Sequence, residues 1–190
     1  MAPKKKFTKD QIIDAAFEIA RVEGVNSITI RKVAEKLGGS IAPIYVNFKE
    51  IGELLEGVYE KTFEVSRQIL LEQKSGHPFQ DIGVASIRFA REYPMLFRDI
   101  VMQKNDQAKH NEEETRHFIH MMRTDPDLSG LSDDELMTIL LKMKTFQVGI
   151  SVMAANDLLP EDYTEERMIQ LMNSAAEDVI STARRRIEQS

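Results

Sequence analysis

The residues of this chain whose types and spacing could do chemistry point in two directions. Glu113, His117 and His120 stand at i, i+4 and i+7. On a helix they share one face, and two imidazoles with a carboxylate form a donor set for a transition metal. A solvated polar face with Glu–His pairing accounts for the same spacing and is the reading adopted, so no metal and no cofactor are expected. The acid runs Glu112-Glu113-Glu114 and Asp133-Asp134-Glu135 are contiguous. That arrangement suits the first turn of a helix, where carboxylates meet unpaired N–H groups, and not a catalytic dyad. No G-x-S-x-G, G-x-G-x-x-G, P-loop or H-E-x-x-H pattern occurs, and cysteine is absent, which removes thiolate nucleophiles, disulfides and cysteine metal sites. An enzyme is not expected.

The second direction is polyanion binding. The 190 residues carry a net charge of -6, yet residues 1–50 hold nine Lys/Arg against six acids. Their local net of +3 leaves -9 on the remainder, the pattern of an anion-binding head on an anion-repelling body. No stretch without a charged residue exceeds the 12 residues of Thr145 to Asn156. A spanning helix needs about 20, so a membrane protein is not expected. The N-terminal MAPKKKFTKDQ has basic residues without an apolar stretch behind them, so no signal peptide is expected. With no cysteine, the reducing cytoplasm is the expected compartment.

The elements that must position these residues read as helices throughout. Only 9 Gly and 6 Pro punctuate the chain, which favours long helices over a turn-rich β architecture. Thr8 and Gln11 form a capping box for a helix over 9–23 that Gly24 stops. Thr29 caps a second helix with Ile30, Val33, Ala34 and Leu37 inward and Gly38 at its end. Ser40 is expected to start a third, very short one, with Pro43 in its first turn. Further helices are expected from Glu50 to about Lys74, from Pro78 until Pro94 interrupts, over 95–103, and over about 112–123. Loops are expected at 104–111 and at 125–130. Ser132 and Glu135 form a second capping box for a helix reaching Asn156, and a last helix covers about 165–187. The fold class is all-α, about nine helices.

Two short helices joined by Gly38-Gly39 have the proportions of a helix-turn-helix. The segment SITIRKVAEKLGGSIAPIYVNFKEIGELL, with Thr29, Val33-Ala34, Gly38, Tyr45 and Phe48, resembles the signature of the tetracycline-repressor (TetR) family of bacterial transcription regulators. FAREYPMLFRDIVM (89–102) and MKTFQVGISVMAANDLLP (143–160) resemble stretches of that family's regulatory domain. The resemblance implies a three-helix DNA-binding domain over 1–48 and a helical ligand-binding and dimerisation domain over 49–190. It implies a repressor that binds an inverted-repeat operator as a homodimer and is released by a small molecule. The alternative is a helical adaptor without DNA binding.

On this reading the groove-facing residues of the third helix are Ser40, Ile41, Ala42, Pro43, Val46 and Asn47, with Ile44 and Phe48 inward. Tyr45 resembles the family's phosphate-contacting tyrosine. Arg31 resembles a base-reading arginine, and Thr29 and Lys32 complete the start of the second helix. Many members carry lysine at the position of Ile51; Lys49, two residues earlier, is the substitute here. Apolar Ile41-Ala42-Pro43 can read only thymine methyls and groove shape.

In the body, Phe63, Phe89, Phe97, Met102, Phe118, Met121, Met122, Met143 and Phe146 form an adaptable apolar set. They are expected to line a pocket for an apolar or amphipathic small molecule of unassigned identity. Leu136, Met143, Ile150, Met168, Met172, Ala175, Val179 and Ala183 form stripes expected to build the dimer interface, with a charged replacement of Val179 expected to give a monomer.

Overall fold

A computed structural model describes residues 7–102, 108–156 and 158–188, without the side chains of 102, 108–111, 155, 187 and 188. Among the described residues there are nine α-helices and no strand, the all-α architecture read from the sequence. They are α1 (Lys9–Glu23), α2 (Ile30–Lys36), α3 (Ala42–Asn47), α4 (Ile51–Glu72), α5 (Pro78–Glu92), α6 (Pro94–Met102), α7 (Ala108–Met122), α8 (Asp133–Ala155) and α9 (Glu165–Glu188). Two 3-10 turns, Val25–Ser27 and Pro126–Leu128, were not anticipated.

Local chemistry explains the ends that matched. Thr8 accepts from Gln11 N while the Gln11 side chain accepts from Thr8 N, and Ser132 and Glu135 do the same for α8. Each box satisfies two of the N–H groups that a helix start leaves unpaired. The Glu135 carboxyl, hydrogen-bonded by the Ser132 side chain and backbone, is held below its ordinary range. Asp133 is held low in the same turn by the Arg123 guanidinium, which hydrogen-bonds it.

Three expected boundaries shift. Ser40 does not cap α3, whose N-cap is Ile41 with helical φ and ψ of -70 and -20 and no side-chain bond. Had Ser40 been the cap, its hydroxyl would have looked for the N–H three residues on, and that residue is Pro43, which has none. The loop expected at 104–111 gives way to helix from Ala108. Its polarity forecast exposure, and exposure does not forbid helix to a run of Ala, Lys and Glu. Residues 103–107 lie outside the described residues, as do Lys4–Lys6. The loop expected at 125–130 contains the 3-10 turn, which Asp125 caps and Leu128, 2% exposed, anchors.

The chain divides into two units. The first gathers Met1–Gln68 and Tyr93–Gln103, so residue 48 falls within it. Its core includes Ile12, Ala16, Val33, Ile44, Phe48, Leu54, Val58 and Leu96. Gly57 lets α4 approach α1: a Cβ there would meet Ile13 Cδ1 at 2.7 Å. Buried Asp99 on α6 accepts from Val25 N at 2.6 Å, tying α6 to the turn behind α1. Gly24, at φ +89, has no room for a Cβ, which would lie 2.9 Å from Asp99 Oδ2 and from Arg98 Nη2. Positive φ and crowding both demand glycine there.

The second unit gathers Ile69–Glu92 and Lys104–Ser190. Here α5 packs on α7, α8 and α9, and α8 packs on α7 and α9. The Asp133–Ala154 stretch of α8 is long and apolar enough to cross a membrane by length and composition. It carries Lys142 and Lys144, and Leu136, Ile139, Leu140, Met143 and Ile150 bury one side of it among the unit's own helices.

Candidate nucleic-acid interface

The first unit presents the helix pair α2–α3 as a folded surface with a clear inside and outside. On α2, Val33 and Ala34 are 0% and 3% exposed, and on α3 and its cap Ile44 and Phe48 are 0% and 1% exposed. Ile44 and Phe48 are four residues apart, one helical turn, so burying both fixes the rotation of α3. Everything a quarter-turn or more away must then face out. Tyr45 and Val46 are accordingly 57% and 54% exposed; Ile41, at the N-cap ahead of the helix, is 48% exposed, and Ser40, Ala42 and Lys49 are exposed beside them. Pro43 is half-buried. Three large apolar side chains on α3 and its N-cap are thus left in water and gain no burial energy inside this chain.

The turn between the helices is made by backbone. Gly38 sits at φ +64 with open space around it, and Gly39 N donates to Ala34 O at 3.0 Å. Thr29 Oγ1 accepts from Lys32 N at 3.2 Å, and the hydroxyl of this exposed residue keeps its own donor capacity.

The cations at this surface are held loosely. Arg31 is paired with Glu35 at 3.2 Å across one helical turn, with its side chain 87% exposed. A pair so open to water contributes little and releases its guanidinium readily. Lys32, half-buried, reaches Glu23 at 2.5 Å. Lys49 is exposed, and its backbone N–H donates to Glu53 Oε2 at 2.8 Å, so Glu53 serves the start of α4. Lys9 adds a further cation, 5.3 Å from the centre of the Phe48 ring. A cleft of about 490 Å³ beside α3 is lined by Lys9, Tyr45, Asn47, Lys49 and the acids Glu53, Glu56 and Glu60, among others.

Asn47 differs from its expected role as an outward residue. It is half-buried, and its amide donates to Pro43 O at 2.8 Å and Phe7 O at 3.3 Å. Those bonds tie the segment before α1 to α3. Spacing alone placed Asn47 near the outward face and gave no sign that its amide was already committed.

The apolar set proposed for a ligand is divided between the units. Phe63, 3% exposed, and half-buried Phe97 belong to the first. The second holds buried Phe89, Met122 and Met143 with half-buried Phe118, Met121 and Phe146. The Met102 side chain is outside those described. Of the residues expected at a dimer interface, Leu136, Met143, Ile150, Met168 and Met172 are buried within the second unit itself, at 1–6% exposure. Ala175, Val179 and Ala183 are half-buried. Among the described residues, the large apolar side chains that α8 and α9 leave in water are Leu141, Val152, Met153 and Leu171. Glu113, His117 and His120 are exposed, and they do not gather their donor atoms into a group able to hold an ion.

No family model matches the chain. The chain is 26% identical over 172 residues to the HTH-type transcriptional repressor DrrR1 of Streptomyces coeruleorubidus, covering 87% of this chain and 58% of that protein. It is 26% identical over 110 residues to the uncharacterised HTH-type transcriptional regulator YobS of Bacillus subtilis, covering 56% of this chain and 58% of that protein. The chain thus spans a little over half the length of these curated relatives. Among solved structures, a transcriptional regulator from Rhodococcus sp. Rha1 superposes with a TM-score of 0.68 at 16% identity, over 93% of this chain and 97% of that one. A TetR-family transcriptional regulator from Haemophilus influenzae superposes with a TM-score of 0.59 at 18% identity, over 87% of this chain and 94% of that one. All four of these similar proteins carry descriptions as transcriptional regulators or repressors. With its short α2–α3 helix pair, the chain has the fold of the TetR-family transcriptional regulators and is similar in sequence to HTH-type transcriptional regulators, one of them a repressor.

Proposed function

We propose that this chain is a cytoplasmic, ligand-responsive transcriptional repressor whose α2–α3 surface reads an inverted-repeat operator in duplex DNA. The observation that carries the reading is the exposed outward face of α3, with Ile41, Tyr45 and Val46 in water while Ile44 and Phe48 are fully buried. A major groove admits one α-helix, and thymine methyls supply apolar partners there. In this proposal residues 1–48 act as the DNA-binding part and 49–190 as the regulatory and dimerising part. Arg31, freed from Glu35, reads guanine O6 and N7, and Tyr45 and Lys49 meet phosphates. Thr29, Lys32, Ser40, Ala42 and Pro43 complete the contact surface.

A second copy of the chain supplies the second half-site, because an inverted repeat mirrors a two-fold protein. The surfaces available for that association on the last two helices are the outward faces bearing Leu141, Val152 and Leu171. An apolar or amphipathic small molecule is the proposed inducer, held by the aromatic and methionine residues of which Phe89, Phe118, Met121, Met122, Met143 and Phe146 share the second unit. Coupling of the two sites is reciprocal, so inducer and operator weaken each other by one common factor.

Genomic footprinting with the purified protein, followed by anisotropy titrations on the recovered site, tests the proposal. Saturable binding to an inverted repeat, weakened when thymines opposite Ile41–Pro43 are replaced by uracils, is the expected result. A chain that neither duplex DNA nor heparin retains in a salt-dependent way is a helical adaptor instead.

A further inference from the structure

A second constellation lies in the other unit, unrelated to the DNA surface. His77 immediately precedes α5, and Asp125 and Asp127 sit in the turn after α7. Their donor atoms all lie within 4.8 Å of one another. His77 Nδ1 is 2.8 Å from Asp127 Oδ2 and 3.9 Å from Asp125 Oδ1. Yet Nδ1 is a buried atom without a hydrogen-bond partner. The two atoms therefore stand at contact distance with no hydrogen bond between them. An imidazole nitrogen that leans against a carboxylate oxygen without bonding to it is poised with that oxygen toward a common third atom. Bonds of about 2.1 Å at right angles set neighbouring donors about 3 Å apart, and the tetrahedral zinc geometry sets them slightly wider. The observed separations bracket those edges.

Asp125 is the rigid member. It is 2% exposed; its Oδ2 accepts from Phe79 N at 2.8 Å and its Oδ1 from Asp127 N at 2.9 Å. Both bonds orient the carboxylate, and each oxygen keeps a further lone pair. Arg184, the nearby cation, donates to the backbone carbonyl of Asp127 at 2.7 Å. A cleft of about 290 Å³ opens at the cluster, lined also by Asn173 and Glu177 of α9, so an arriving ion has a route and additional oxygen donors.

We propose that His77, Asp125 and Asp127 bind one divalent first-row cation, which pins the start of α5 to the turn between α7 and α8. One imidazole with two carboxylates and no thiolate suits zinc or manganese, and not copper(I). Nothing in this inference requires DNA binding, so its failure would leave the repressor reading untouched.

Isothermal titration of the full-length, chelator-treated protein with zinc chloride, and separately with manganese chloride, tests it. The expected result is saturation at one ion per chain with at least one of the two. His77→Ala and Asp127→Asn should each weaken that affinity tenfold or more. Asp127 is exposed and His77 half-buried, and helicity by circular dichroism confirms that the variants fold. The double variant His117→Ala/His120→Ala should bind as the parent does. The saturating ion should also raise the melting temperature of the parent and not that of His77→Ala. No saturable binding in either titration, or binding that survives both His77→Ala and Asp127→Asn, overturns the proposal.

Discussion

The α2–α3 pair and the α8–α9 pair both show apolar residues at helical spacing, yet they use that pattern in opposite ways. On α3, six residues long, only Ile44 turns inward, joined by Phe48 at the C-cap, and the apolar residues left over stand in water. On α8, 23 residues long, the stripe Leu136, Leu140, Met143, Gln147 and Ile150 is buried against the unit's own helices, and Gln147 satisfies its amide on Ser151 at 3.1 Å. Leu141 and Val152, two of its outward apolar residues, belong to another face. A short helix with one buried face leaves its outside by elimination. A long helix flanked by three neighbours has several apolar faces, and periodicity cannot say which neighbour each one meets.

The largest effect should separate the two faces of α8 and α9. Met172→Glu places a charge at a site 3% exposed and should cost about 4 kcal/mol or more, read as a collapse of the urea midpoint. Leu141→Glu with Val152→Glu should leave helicity and melting temperature nearly unchanged while sedimentation shows a monomer of weakened operator affinity. A parent-like dimer from that double variant would move the association surface off these helices.

At the DNA surface the effects should be smaller and divide by chemistry. Arg31→Ala should cost about 1–3 kcal/mol per half-site and relax one base position, whereas Lys49→Ala should weaken all sequences alike and lower the salt slope by about one per head. Equal loss on every sequence from Arg31→Ala would make it a phosphate contact.

The smallest effect concerns pH. Asp133 and Glu135 are both held below their ordinary ranges at the start of α8. Their stabilisation is therefore present above the unfolded carboxyl values and lost as pH falls through the lower folded ones. Arg123→Ala should flatten the decline of the second unit's stability below about pH 4, measured by urea melts across pH. An unchanged decline would assign the acid sensitivity to other carboxylates.

Much of the fold was legible because its signals are local. Thr8, Gln11 and Gly24 bounded α1, Pro94 separated α5 from α6, and Ser132 with Glu135 started α8; each acts within one turn of where it stands. The outward face of α3 was legible for a related reason, since its inner residues are only four apart. Asn47 was not, because its partner Phe7 is 40 residues away. Nor was the Asp99–Val25 bond, across 74 residues.

By itself, then, the sequence determined the helices, their caps and the contrast between a basic first quarter and an acidic remainder. These follow from backbone hydrogen bonding and side-chain periodicity, which range over a few residues. Only the tertiary structure decided which stripe of α8 is core, that Phe63 and Phe118 belong to different units, and that His77 meets Asp125 and Asp127 while Glu113, His117 and His120 stay apart. Helical spacing can align donors on one element. Bringing an imidazole to carboxylates some 50 residues away takes the packing of α5 on α7, where burial of apolar surface sets positions that no local pattern encodes.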